Sequence, residues 1–125
     1  MNYRHVFHAG NHADVLKHVV MVRIIEYLKQ KDSPFRVFDV HAGTGRYALD
    51  GVEAMKTREW AEGIAKMQAP FAPEVEVLLA PYRLVIGRLN PGGDLKVCPG
   101  SPEYRSMVLD VPVTQSFHSP SSIFT

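Results

Sequence analysis

Phe35-Arg36-Val37-Phe38-Asp39-Val40-His41-Ala42-Gly43-Thr44-Gly45 is the stretch on which the fold turns. Its first six residues are rich in β-branched and aromatic side chains, which favour a strand. That run carries an acid, Asp39, near its end, and two glycines, Gly43 and Gly45, follow, so the strand runs into a turn where backbone can approach a ligand or a neighbouring segment with no Cβ in the way.

Outward from this turn, the pattern alternates between helix and strand. Upstream, Asn11 offers an N-cap and Asp14 an acidic first turn for a helix reaching about Lys31, where Asp32-Ser33-Pro34 stops it. Downstream, Met55, Trp60, Ile64 and Met67 recur at helical spacing between Arg46 and Met67; Gly51 and Gly63 disfavour a continuous helix, and two short helices are expected. A further helix is expected from Glu74 to Leu89, kinked or split by Pro81. Asn90-Pro91-Gly92-Gly93 makes a turn, Leu95-Lys96-Val97-Cys98 a second strand, and Ser101 the N-cap of a last helix with Pro102 at its first position. Two strands joined by a long helical excursion imply a parallel crossover, hence an α/β fold. The final stretch, 111–125, holds no Asp, Glu, Lys or Arg and is expected to be neither a solvated tail nor a regular element.

Bulk properties narrow the class. The 125 residues suit one domain, and 46% apolar with 22% charged residues is ordinary globular composition. A net charge of +1, from 14 Lys/Arg against 13 Asp/Glu, gives no broad attraction for nucleic acid or membrane, so any RNA contact must be local. The single cysteine, Cys98, excludes an internal disulfide framework and fits a reducing, cytoplasmic setting. The apolar run from Val19 to Leu28 is broken by Arg23 and Glu26, so no membrane span is expected there.

Three motifs carry chemistry. Asp39-Val40-His41-Ala42-Gly43-Thr44-Gly45 fits the D-x-x-x-G-x-G pattern that follows the first strand of many adenosylmethionine-binding sheets, or merely makes a tight strand-to-helix turn. A dinucleotide fingerprint would need glycine where Ala48 stands. The second motif is an N-terminal cluster of Tyr3, Arg4, His5, His8, His12, Lys17 and His18. His8 and His12 have the i, i+4 spacing of metal ligands, but no Glu follows His8 as in H-E-x-x-H; a polar arm is the plainer alternative. Lys17 falls among Ala13, Val20, Ile24 and Leu28 on an apolar stripe, so either its stem snorkels to the rim or its ammonium stands at the mouth of a site. The third motif is Cys98-Pro99-Gly100-Ser101-Pro102, in which Ser101 serves equally well as a helix cap.

Together these blocks resemble the large-subunit ribosomal RNA adenine-N(6) methyltransferase family. The resemblance rests on Tyr3-Arg4-His5, on the run from Phe7 to His18, on Asp39 to Tyr47, and on Pro99-Gly100-Ser101-Pro102, and it extends from Met1 to about Asp110. It implies a partial Rossmann-like methyltransferase sheet with an N-terminal helical arm, a helical insertion at about 47–91, and a divergent tail over 111–125. It further implies S-adenosylmethionine as cofactor, with His18, His41, Gly43 and Ser101 at its site. Tyr3, His5 and Lys17 would lie beside the target adenine of 23S ribosomal RNA. That family also presents a D/N-P-P-Y/F loop to the reacting amine, and no Pro-Pro pair occurs in this chain. The chain is therefore expected to hold cofactor loop and substrate arm without the catalytic loop, to be inactive alone, and to self-associate through an exposed sheet edge. The alternative is a non-catalytic RNA- or nucleotide-binding module.

Overall fold

The structure, a computed structural model, describes residues 4–40 and 43–109 together with the backbone of 123–124. A 3-10 turn over His5–Phe7 leads into helix α1, His12–Lys29. The Asn11 side chain accepts a hydrogen bond from the Asp14 amide at 2.9 Å, the expected N-cap. Strand β1 is Val37–Phe38 and β2 is Arg46–Ala48, followed by helix α2, Val52–Thr57, and two 3-10 turns over Glu59–Glu62 and Ile64–Gln68. Helix α3 is Pro73–Leu89, β3 is Val97–Pro99, α4 is Ser101–Leu109, and β4 is Ile123–Phe124. Among the described residues no helix is long and apolar enough to cross a membrane.

The chain is mixed helix and strand, as expected, but its strands pair differently. β2 and β3 are antiparallel, with Tyr47 opposite Cys98, while β1 pairs antiparallel with β4, Val37 opposite Phe124. No parallel pair joins β1 to β3 among the described residues, so the expected crossover is corrected. The reason lies in Arg46-Tyr47-Ala48, read as the start of a helix. There Tyr47 and Leu49 are buried and Arg46, Ala48 and Asp50 exposed, the two-residue alternation of a strand, and this segment takes up the backbone groups of β3. The helix starts only at Val52. The last stretch, expected to form no regular element, contributes β4.

Pro81 does not divide α3; the helix continues through it. The carbonyl deprived of its partner amide belongs to Val77, on a face 72% exposed, where water can solvate it. Burial of Leu79, Tyr82, Val85 and Ile86 holds the helix, each such side chain being worth about 1.5–3 kcal/mol. Its end is tied to β3 by Asn90, whose amide donates to the Ile86 and Val97 carbonyls and accepts from the Lys96 and Val97 amides, all within 2.8–2.9 Å.

α1 buries Asp14, His18, Val22 and Ile25 against α4 and α3. The aliphatic stripe read from the sequence lies on the other side: Lys17 is exposed, with Val20 at 46% and Ile24 at 53%. Apolar side chains nearly encircle this helix, so hydrophobicity alone does not choose the face. The choice falls to the face whose polar residues find partners inside, Asp14 at the Gly10 amide and His5, and His18 against the Tyr104 ring.

Two glycines seat the N-terminal arm on the segment after α2. Gly10 has φ +80° and its carbonyl accepts from the Ile64 amide at 2.8 Å. A Cβ on Gly63 would stand 2.0 Å from that same carbonyl oxygen. Gly63 stands between the two 3-10 turns and also serves this close approach.

Candidate functional site

The glycine turn after β1 and the turn before α4 lie against each other. The Gly100 amide donates to the Gly45 carbonyl at 2.7 Å, and a Cβ on Gly100 would meet the Thr44 carbonyl at 2.2 Å, so only glycine allows this approach. Gly43 adopts φ +59°, with the Tyr47 hydroxyl where its Cβ would project. That hydroxyl accepts from the Thr44 amide at 3.2 Å.

Ser101 is not the N-cap of α4. The helix includes it, and the amides of Glu103 and Tyr104 bond to the Gly100 carbonyl, which marks Gly100 as the boundary residue. The Ser101 hydroxyl instead donates to the Asp39 carboxylate at the end of β1. Arg105, wholly buried one turn on, brings Nη1 to 3.4 Å from the same oxygen, while Arg46 and Glu103 pair at 2.8 Å at the rim. Burial holds the Arg105 guanidinium below its ordinary pKa, and the Asp39 charge opposes that fall.

The arm supplies the other wall. Asp14 is buried; its Oδ2 accepts from the Gly10 amide at 2.9 Å, and its Oδ1 faces His5 Nε2 at 3.3 Å and His18 Nδ1 at 3.8 Å. The His5 ring packs edge-on against Tyr47 at 5.1 Å, so Tyr47 touches both the arm and the glycine turn. His18, 2% exposed, lies over Tyr104 at 4.6 Å, and Tyr104 stacks on Tyr82 at 5.2 Å. Burial, aided by the charges of Lys17 and His5, pushes the His18 pKa down to about 4 against the pull of Asp14 and Asp39. For Asp14, burial acts upward, but the bonds from His5 and Gly10 and the charge of His18 outweigh it, leaving the carboxyl below its ordinary value. Near neutral pH the pair is a carboxylate beside a neutral imidazole.

Of the residues singled out from the sequence, His18, His5, Gly43 and Ser101 belong to this connected set. Lys17 neighbours it from the exposed side of α1. Tyr3 and His41 lie outside the described residues. His8 pairs with Glu59 at 2.6 Å, and Asn11 reaches the other oxygen of Glu59 at 3.3 Å, so His8 fastens the arm rather than pairing with His12 over a metal. Sequence reasoning missed Asp14 as more than a first-turn acid, missed the contacts made by Tyr47, and missed Tyr104 and Arg105 altogether. The i, i+4 spacing of Asp14 and His18 and the alternation around Tyr47 were the available signals.

The acid after β1, the glycine turn locked to a second strand-to-helix turn, and a buried histidine beside both form one connected site in a chain of mixed helix and strand. The family described as "Ribosomal RNA large subunit methyltransferase D, RlmJ" matches residues 32–111, and the chain belongs to it. The chain is 48% identical over 111 residues to Ribosomal RNA large subunit methyltransferase J of Escherichia coli (strain K12), covering 87% of this chain and 38% of that protein. Its counterpart of the same name from Haemophilus influenzae is 45% identical over 105 residues, covering 82% and 36% respectively. The crystal structure of protein LPL1258 from Legionella pneumophila str. Philadelphia 1 superposes with a TM-score of 0.59 at 33% identity, over 77% of this chain and 34% of that one. The chain thus spans well under half the length of the relatives it matches.

Proposed function

We propose that this chain is the cofactor wall and substrate arm of an S-adenosylmethionine-dependent methyltransferase acting on the exocyclic amine of an adenine in 23S ribosomal RNA, in the cytoplasm. In this reading residues 1–110 are the N-terminal portion of a Rossmann-like domain, with a helical insertion at about 47–91. The observation that carries it is the Ser101–Asp39 hydrogen bond, which joins the D-x-x-x-G-x-G turn to the Pro-Gly-Ser-Pro turn beside buried His18.

The residues present suit the cofactor. At Gly43 the chain turns with φ +59°, a conformation glycine adopts without strain, and neutral His18 keeps a lone pair for a ligand hydroxyl or ammonium. His18, His41, Gly43 and Ser101 would hold adenosylmethionine, which supplies an electrophilic methyl on its sulfonium. Tyr3, His5 and Lys17 would meet the RNA, Lys17 by offering an exposed ammonium to phosphate and Tyr3 by contact with the adenine. The amine is a poor nucleophile and needs hydrogen-bond acceptors that favour its lone pair. No Pro-Pro pair exists here to form the family's acceptor loop, so we infer that the chain alone does not transfer methyl.

The missing loop also favours a second reading, a module that binds RNA or a nucleotide without chemistry. The test is transfer of labelled methyl to unmodified large-subunit RNA, with the chain alone and then mixed with the D-P-P-Y-containing remainder of a relative. Activity only in the mixture, lost on Tyr3→Ala or Lys17→Ala, is expected. RNA binding with no cofactor binding and no activity in either case would leave the module.

A further inference from the structure

Asp14 sits at the third position of α1, where a carboxylate commonly satisfies a free amide, and its Oδ2 does this for Gly10. That accounts for one oxygen. The other faces two imidazoles, His5 Nε2 at 3.3 Å and His18 Nδ1 at 3.8 Å, inside a region where an unpaired carboxylate is costly. A neutral imidazole carries its single proton on one nitrogen only, and the group facing the other nitrogen selects which. At 3.8 Å the contact is longer than a hydrogen bond, yet the negative field favours the N–H on the side of the carboxylate. The Tyr104 ring lies against the His18 face, so the ring plane is set while Asp14 sets its polarity.

We propose that Asp14 is a positioning residue: it holds His18 as the Nδ1–H tautomer, leaving Nε2 as an acceptor toward the cofactor, and through His5 joins the cofactor side of the site to the RNA side. This rests on the reading that His18 meets adenosylmethionine. Nε2 as an acceptor selects the donors of that molecule, its ammonium or ribose hydroxyls, and not its carboxylate. The other charged groups bearing on His18 are Lys17 on its own helix, His5 on the preceding turn and Asp39 at the end of β1.

The experiment reads the tautomer directly, by long-range 15N–1H correlation on the imidazoles of the 125-residue chain near neutral pH, beside calorimetric titration with adenosylmethionine. His18 is expected as Nδ1–H. Asp14→Asn can still accept from Gly10 through its carbonyl but turns an N–H toward His18. It is expected to move the proton to Nε2 and weaken binding by about tenfold or more. Asp14→Glu, which restores the carboxylate, is expected to recover both. A residue that only capped the helix would leave tautomer and affinity unchanged in Asp14→Asn, and that result overturns the proposal. So does wild-type His18 in the Nε2–H form, a reading that needs no variant to fold. Nδ1–H in a folded wild type that binds no adenosylmethionine overturns instead the cofactor role of His18, and the positioning role with it.

Discussion

The Ser101 hydroxyl donates to the Asp39 carboxylate across 62 residues of sequence, fastening the first turn of α4 to the end of β1. Both residues come from motifs recognisable in the sequence, and their contact makes one site of two turns.

Ser101→Ala removes that donor from a partly buried carboxylate and leaves Arg105 facing it at 3.4 Å. Hydrogen bonds to charged groups contribute about 1.5–3 kcal/mol, so the urea midpoint is expected to fall by a corresponding amount. An unchanged midpoint would show that the bond does not contribute to holding the turns together.

Acid should weaken the fold before the carboxylates are fully protonated. In the unfolded chain His18 takes up a proton at about its ordinary value of 6.5, whereas in the fold it does so only near 4. Between these values the unfolded state binds more protons. The stability due to neutral His18 is therefore complete above 6.5 and is lost as pH falls toward 4, on the order of 3 kcal/mol in all. Urea unfolding across that window should show the decline, and His18→Gln should flatten it. A wild-type profile flat from 6.5 to 4 would contradict the buried neutral imidazole.

Gly63→Ala places a methyl 2.0 Å from the Gly10 carbonyl, a backbone atom that cannot swing away. Overpacking of this kind costs about 1–3 kcal/mol or more. Gly92→Ala meets nothing within 4 Å and is expected to be neutral or to stabilise by about 0.4–1 kcal/mol through the unfolded state. Thermal unfolding of the pair separates close approach from loss of glycine flexibility; equal melting temperatures would refute the distinction.

Leu16, Val20, Ile24 and Tyr27 follow one another along the outward side of α1, each 46% exposed or more. An apolar stripe of that length on one helix face is a surface for association. The chain is expected to self-associate with rising concentration in sedimentation velocity, and Ile24→Glu to shift it toward monomer. A wild type that stays monomeric throughout would count against this stripe as the contact.

The start and stop of α1 were written locally, because the Asn11 side chain reaches an amide three residues on and Asp32-Ser33-Pro34 cannot continue a helix. The strand before Asp39, the glycine turn, the strand before Pro99 and the three blocks that tie the chain to its family were legible for the same reason: each is a property of a few adjacent residues. Strand pairing was not, since Arg46–Ala48 satisfies β3 from the far side of a long excursion, and nothing near either segment names the other. Nor was the buried face of α1, where aliphatic content pointed to Lys17 and Ile24 while the fold chose Asp14 and His18. That choice depends on what packs there: Tyr104 covers His18, and His5 with the Gly10 amide satisfies Asp14. A polar residue can be buried only where its partners arrive from elsewhere in the chain, and that meeting is made by the tertiary structure.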